Sequence, residues 1–277
     1  MQQSVLYANA DIAMQISKFL LTREKIRTLA AASNVDEVKS ILATCGYKTD
    51  FATDDEIIEH ERAKTIHTAI ELSTDDAVTN CLQILSDRHK IREDISKKAN
   101  LTSFEIDTLC EIELFKELSP HIDKIKNKNI KNYFTALADL TNIKTFTKYK
   151  LANVKPTNVF VSGGMIGVPL LTNAFGGDNE TLKSLFSSTP YFNVYTALVK
   201  ALGENDINIL ETAISRHLDG VVATDKDNLF QPNLLFWWFV KKQTEFIVVK
   251  TVMMNKRLNL PQTTLQESLR GLYERFN

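Results

Sequence analysis

The chain has 277 residues, which is ample for one large domain or two ordinary ones. Its 33 Lys and Arg residues balance 34 Asp and Glu residues, so the net charge is near -1 and there is no overall basic excess to bind nucleic acid or an anionic membrane surface. Only 9 glycines and 6 prolines occur, and a chain poor in both turn formers usually has few hairpins and many helices.

The cysteines and the apolar segments bear on the cellular compartment. Cys45, Cys81 and Cys110 are odd in number and lie far apart without a CxxC pair, so we expect reduced, buried thiols in a cytosolic protein rather than a zinc site or a disulfide framework. The start of the chain lacks a basic segment followed by an apolar one, so no signal peptide is expected. The longest apolar run, residues 234–240, is far too short to span a bilayer. Any membrane association is therefore expected to come through a partner.

Helix signals begin at the N-terminus and follow one another closely. A first apolar face with helical spacing consists of Ile12, Ile16, Phe19 and Leu20. Asn34 with Glu37 resembles a capping box. Thr53 with Glu56 does the same, ahead of a helix predicted to run to about Leu72. Two helix starts are therefore predicted early in the chain.

The helical pattern continues through the rest of the chain. Apolar stripes recur over residues 78–85, 104–115 and 207–218. Gly220 predicts the end of the last of these helices. Residues 159–161 have the composition of a strand, but three residues are too short to imply a sheet. We therefore predict an all-α fold in a single domain, with no low-complexity linker.

Two internal echoes indicate repeated helical units. Residues 36–47, DEVKSILATCGY, read closely like residues 180–191, ETLKSLFSSTPY. Residues 139–150 similarly match residues 245–256, since each segment opens on an acidic residue and ends on a lysine. Repeats of this kind imply stacked copies of one helical unit, the alternative being chance similarity between amphipathic helices.

These segments also resemble a known family. Residues 7–10, Leu20-Leu21 and the Leu42-x-Thr44-x-x-Tyr47 ending are similar to the start of the AC39-like subunits of the A/V-type rotary ATPases. Three later segments resemble that family's central motif, its Gly-Gly element and its last long helix, in this order: residues 139–148, 159–166 and 232–256. The resemblance covers most of the chain, and the order of the motifs carries it. The chain departs from the family at Asp11, where Arg is usual, and in its shorter length.

The resemblance implies a fold and a mechanical role. The fold would be three pseudo-symmetric helical repeats, at about 1–50, 51–155 and 156–277, that form a funnel-like single domain. The funnel would sit on the membrane rotor (proteolipid) ring and receive the foot of the central shaft. Such a central-stalk subunit transmits torque for ATP-coupled proton or sodium transport and performs no bond chemistry. It lies on the cytoplasmic face and contacts the membrane only through the ring.

A partner interface is predicted on the two echoed helices and on an apolar run. On the two echoed helices, the residues predicted to contact a partner are Asn142, Lys144, Lys148, Glu245, Lys250 and Lys256. The alternative is that they form salt bridges between repeats. Residues 234–239 are apolar enough to wrap right round a helix, so part of the run must face another repeat or a partner. Trp238 is the anchor predicted there, with burial in the core as the alternative.

Sequence signatures of catalysis are sparse. No GxxxxGK[ST] is present, and residues 162–167 lack GxGxxG spacing, so they are interpreted as a tight turn that uses positive φ. His60 and His67 could share a helix face, but HExxH and a third ligand are missing. No catalytic residue, metal or cofactor is therefore predicted. The lysine-rich residues 124–150 are interpreted as a solvated face or a protein interface rather than a nucleic-acid site.

Two alternative functions remain open at this point. The first is a helical-repeat adaptor for protein interactions, unrelated to ATPases, which would obey the same packing physics. The second is a small-molecule enzyme with a helical fold, which would need a pocket with convergent polar groups.

Overall fold

The computed structural model describes residues 2–98, 100–177, 179–269 and 272. These residues form α-helices and no β-strand, which confirms the predicted all-α class. The helices are α1 (Gln2–Phe19), α2 (Arg23–Ala31), α3 (Val35–Thr44), α4 (Asp54–Leu72), α5 (Asp76–Ser96), α6 (Ser103–Ile122), α7 (Lys128–Leu151), α8 (Val168–Ala174), α9 (Asn179–Ser187), α10 (Phe192–Glu204), α11 (Ile207–Val222), α12 (Asn233–Arg257) and α13 (Gln262–Leu269). None of the helices in these ranges is both long and apolar enough to cross a bilayer.

Local capping sets several helix starts. The Thr53 side chain accepts the Glu56 N–H and the Glu56 carboxylate accepts the Thr53 N–H, so the predicted capping box of α4 and its end at Leu72 are confirmed. Asn34 accepts the Glu37 N–H at 2.9 Å at the start of α3, but the Glu37 carboxylate accepts the N–H of Ser33 rather than that of Asn34, so only half of the capping box predicted there is formed. The end predicted at Gly220 is wrong, because α11 continues through it to Val222. Glycine inside a helix costs only about 1 kcal/mol, which packing readily offsets.

The chain divides into two compact units, and the first is organised around α12. This unit comprises residues 1–82 and 222–277. In it, α12 packs against α1, α2, α3, α4 and α13. Because neighbours approach from most sides, α12 buries residues around nearly its whole circumference, including the run Leu234–Phe236 and the Val248-Val249 pair.

The second unit, residues 83–221, is organised around α7. That helix packs against α6 and α10, while α9 packs against α8 and α10. Like α12, α7 is buried along most of its length. Each unit is therefore built on one long buried helix, and each of these helices carries one copy of the second sequence echo. The repeat boundaries given above stay a prediction.

Candidate functional site

Glu245 lies at the middle of α12 and is fully buried. Its carboxylate accepts the backbone N–H of Leu21 at 2.7 Å and the hydroxyl of Tyr47 at 2.5 Å. It also accepts a hydrogen bond of 2.5 Å from the ammonium of Lys242, one turn earlier on the same helix. Leu21 precedes α2 and Tyr47 follows α3, so one side chain fastens both ends of this helix pair to α12.

Lys242 joins Glu245 to a second buried carboxylate. Its ammonium lies 3.3 Å from Glu61 on α4, and both side chains are almost completely buried. The ammonium also lies over the Tyr47 ring, at 4.9 Å from its centroid. Buried charges are tolerated only when they are paired and hydrogen-bonded, and Lys242 supplies a hydrogen bond to both carboxylates, while the second oxygen of Glu61 has none among the described residues. Burial, and then the charge of Glu245, raise the pKa of Tyr47 well above its ordinary value, so the phenol stays a neutral donor.

Asp139 occupies the corresponding place on α7. It is fully buried and accepts the backbone N–H groups of Met165 at 2.8 Å and Ile166 at 2.9 Å. The hydroxyl of Tyr191 donates to it at 2.8 Å. Burial raises the pKa of Asp139, and these three hydrogen bonds oppose that rise because they stabilise the ionised form.

Residues of the two sequence echoes contact each other in the folded chain. We call the two sets the first brace (Glu245, Leu21 and Tyr47) and the second brace (Asp139, Met165, Ile166 and Tyr191). In each brace the residue with the carboxylate is the first residue of one echoed segment, and the tyrosine is the last residue of the other. Each carboxylate also holds backbone N–H groups just before a pair of short helices, α2–α3 or α8–α9. Two copies of one local arrangement therefore exist, whereas a third copy and the funnel stay predictions.

The glycine pair before α8 allows the second brace to close. Gly163 has φ +100°, which confirms the predicted positive-φ turn. A Cβ on Gly164 would lie 2.0 Å from the Asp139 carboxylate, so only glycine fits there. Asn142, one turn after Asp139, donates to the Val161 carbonyl at 2.8 Å and accepts its N–H at 2.7 Å. This pairing satisfies the backbone of the segment before the turn without a partner strand.

Replacing Gly164 by Ala is expected to destabilise the second unit by about 1–3 kcal/mol, the usual cost of overpacking. The new methyl group would displace the Asp139 carboxylate from the Met165 and Ile166 N–H groups. Urea unfolding followed by circular dichroism measures the loss. Gly167→Ala is the matched control, because its Cβ would meet neighbours only at ordinary contact distances of 3.9 and 4.0 Å. Equal stability of the two variants would contradict the packing argument.

The raised pKa of Asp139 predicts a pH dependence. Its carboxyl ionises less readily in the folded chain, so its contribution is greatest below the ordinary pKa of 3.8 and is lost as the pH rises through the raised value. The wild type should therefore lose stability relative to Asp139→Asn across that window, by about 1.4 kcal/mol for each unit of pKa shift. Urea unfolding between pH 3 and 7 tests this expectation, and a pH-independent difference between the two proteins would refute it.

The predicted interface residues fall into two groups. Asn142, Trp238 and Glu245 are buried among the chain's own residues. The expectation of an exposed face at Trp238 is not met, because Trp237 is the less buried of the pair and lies beneath Lys226 and Lys241. This burial favours the alternative role of these side chains, which is to hold the fold.

The four predicted lysines are at least partly exposed. Their ammonium groups bind partners within their own units: Lys144 with Glu211 at 2.6 Å, Lys148 with Asp107 at 3.1 Å, Lys250 with Asp55 at 2.9 Å and Lys256 with Gln262 at 3.0 Å. Each bond joins different secondary-structure elements. Their contact with another subunit stays a prediction.

Sequence reasoning missed Lys242 and Glu61. The available signal for Lys242 was its spacing of three residues from Glu245 within a mostly apolar stretch, since a lysine there needs an anion. Nothing in the sequence singled out Glu61, which looks like one of several acidic residues on α4.

The other groups considered are the possible metal ligands and the three cysteines. In the described ranges, no cluster of three or more His, Cys, Asp or Glu side chains has the arrangement of a metal site. The three cysteines are free and buried. Burial raises the pKa of the Cys81 thiol to about 12, which keeps it protonated and unreactive at neutral pH.

Comparison with known proteins agrees with the motifs. Residues 55–268 match the family described as ATP synthase (C/AC39) subunit, and this span contains both brace carboxylates and the glycine turn. A search of curated protein sequences finds no significant match. The family match confirms the resemblance that the order of the motifs predicted. Since it covers well over half of the chain, this protein belongs to the C/AC39 family of V/A-type ATP synthase subunits.

Proposed function

We propose that this chain is a non-catalytic central-stalk subunit that links the rotor shaft to the membrane rotor ring of a V/A-type rotary ATPase. It would transmit torque and so couple ATP turnover to proton or sodium transport. The match of residues 55–268 to the ATP synthase (C/AC39) subunit family carries the proposal. In the complex the protein would lie on the cytoplasmic face and meet the membrane through the ring alone.

The two braces suit a part that must carry load. Each fixes the middle of the longest helix of its unit to a helix pair through a buried carboxylate. Hydrogen bonds to a buried charge are directional and costly to break, so they resist sliding of one helix along another. A protein that passes torque without absorbing it needs this kind of stiffness inside each unit.

Affinity purification tests the proposed place of the chain. The tagged protein would be isolated from gently solubilised native membranes and its companions identified. We expect the nucleotide-binding, shaft and ring subunits in fixed ratio. Recovery of the chain alone, or with unrelated soluble proteins, would instead favour the adaptor alternative.

Depletion of the chain tests the proposed role. Membrane vesicles that lack it should retain much of their ATP hydrolysis but lose ATP-driven ion transport, because the catalytic head would turn without moving the ring. Adding back the purified chain should restore transport. Loss of hydrolysis and transport in the same proportion would contradict a purely mechanical role.

A further inference from the structure

The C-terminal half of α12 exposes an apolar face that no described residue covers. Ile247, Met254 and Leu258 are 51%, 55% and 56% exposed, and Thr251 is half-buried between them. On the same face one turn earlier, Thr244 is buried. The exposure therefore begins abruptly at residue 247 of an otherwise surrounded helix.

The spacing of these four residues is that of a helix–helix seam. The steps between residues 247, 251, 254 and 258 are four, three and four, as between a and d positions of a heptad. Such a stripe is narrow, whereas a helix that lies on a membrane presents an apolar face of about 100° or more. The seam is about 12 residues, or roughly 18 Å, long, which suits two heptads of one partner helix.

The charged flank of the seam limits what that helix can be. Lys250 and Arg257 precede the two a positions, so both occupy the g position that faces the partner's flank in heptad packing. Their side chains are 59% and 55% exposed, and each has one carboxylate neighbour on α4, Asp55 at 2.9 Å and Asp54 at 2.5 Å. In antiparallel packing, a second copy of this face would set cation against cation. An acidic flank on a different chain would complement them.

We propose that residues 247–258 form a docking seam for a single α-helix of another ATP synthase subunit, and that this helix has an apolar heptad stripe with acidic flanks. The helix covers Ile247, Met254 and Leu258 and places its acidic side chains beside Lys250 and Arg257. The identity of the partner as a member of the same complex rests on the proposed function.

Met254→Lys tests the seam. A charge at its centre should lower the amount of ATP synthase subunits recovered with the tagged chain about tenfold or more, as for a truncated interface hot spot. Met14→Lys is the matched control, because Met14 is 52% exposed on α1 of the same unit. Unchanged circular dichroism and unfolding of both variants show that the fold is kept. Equal recovery with Met254→Lys and wild type would overturn the seam while leaving the proposed function intact, whereas absence of these subunits from the wild-type sample would overturn the proposed function itself.

Photo-crosslinking identifies what covers the seam. A photoreactive amino acid at Leu258 in the intact complex should crosslink to one helical segment of one other protein of the complex. The same group at Met14 gives the background. Crosslinks to lipid, to a second copy of the chain, or at no more than the background level would each overturn the proposal.

Discussion

Lys242→Met is expected to destabilise the first unit by about 3–5 kcal/mol, the usual cost of breaking a buried ion pair by removing one partner. Met keeps most of the volume of the side chain, so little packing is lost. The contact of the ammonium with the Tyr47 ring is lost together with the charge. What is lost is the cation that Glu61 and Glu245 share, and two buried carboxylates then face each other without it. Lys64 reaches Glu61 from the surface at 3.7 Å, which screens part of the repulsion but not the charge of Glu245.

The fluorescence of tryptophan reports this loss directly. Both tryptophans of the chain, Trp237 and Trp238, lie on α12 of the first unit, so a urea titration followed by their emission measures its unfolding. Lys250→Met is the matched control on the same helix. Lys250 is 59% exposed and pairs with an exposed carboxylate, so its removal should cost about 1 kcal/mol or less.

A second substitution separates charge from shape. Glu245→Gln in the Lys242→Met background removes one of the two negative charges that have lost Lys242 and retains an oxygen to accept the Leu21 N–H. The double variant should therefore be more stable than Lys242→Met alone, with a coupling free energy of the order of 1–3 kcal/mol. If the two substitutions simply add, or if Lys242→Met costs no more than its control, the charge cluster does not hold this unit together.

Local signals predicted the parts of the fold that depend on neighbours in sequence. The Thr53–Glu56 capping box is one such case, since both of its hydrogen bonds close within one helical turn. Positive φ at Gly163 is another, because it follows from backbone sterics at a Ser-Gly-Gly turn. The need for glycine at Gly164 was not visible, because the obstacle is the carboxylate of Asp139, 25 residues away.

The echoes show how much of the site can be predicted from one sequence. They identified Asp139 and Glu245 as corresponding positions, and Tyr47 and Tyr191 as another such pair, but did not show that each tyrosine binds a carboxylate. That step depends on which helices pack together, and amphipathic spacing fixes only the buried face of a helix. The same limit explains Trp238. A run that is apolar all round must be covered on every side, and the sequence could not say whether α1 and α4 of its own unit or a partner would cover it.

Asp139→Ala is expected to cost the second unit about 3–5 kcal/mol, because it leaves three donors, two of them in buried hydrogen bonds, without an acceptor, and each buried unsatisfied donor costs about 1–3 kcal/mol. The donors are the backbone N–H groups of Met165 and Ile166 and the hydroxyl of Tyr191. Amide hydrogen exchange at Met165 and Ile166 should accelerate sharply, while that of the first unit should not change.

Tyr191→Phe is the graded comparison for that experiment. It removes only the hydroxyl donor and leaves the carboxylate bound to both backbone N–H groups, so its cost should be about 1 kcal/mol. Asp139→Ala should therefore cost more than Tyr191→Phe, because it deprives three donors of their acceptor whereas Tyr191→Phe removes only one donor. If Asp139→Ala were no more costly than Tyr191→Phe, the backbone N–H groups would be finding other acceptors, and the carboxylate could not be what fixes the turn before α8 to α7.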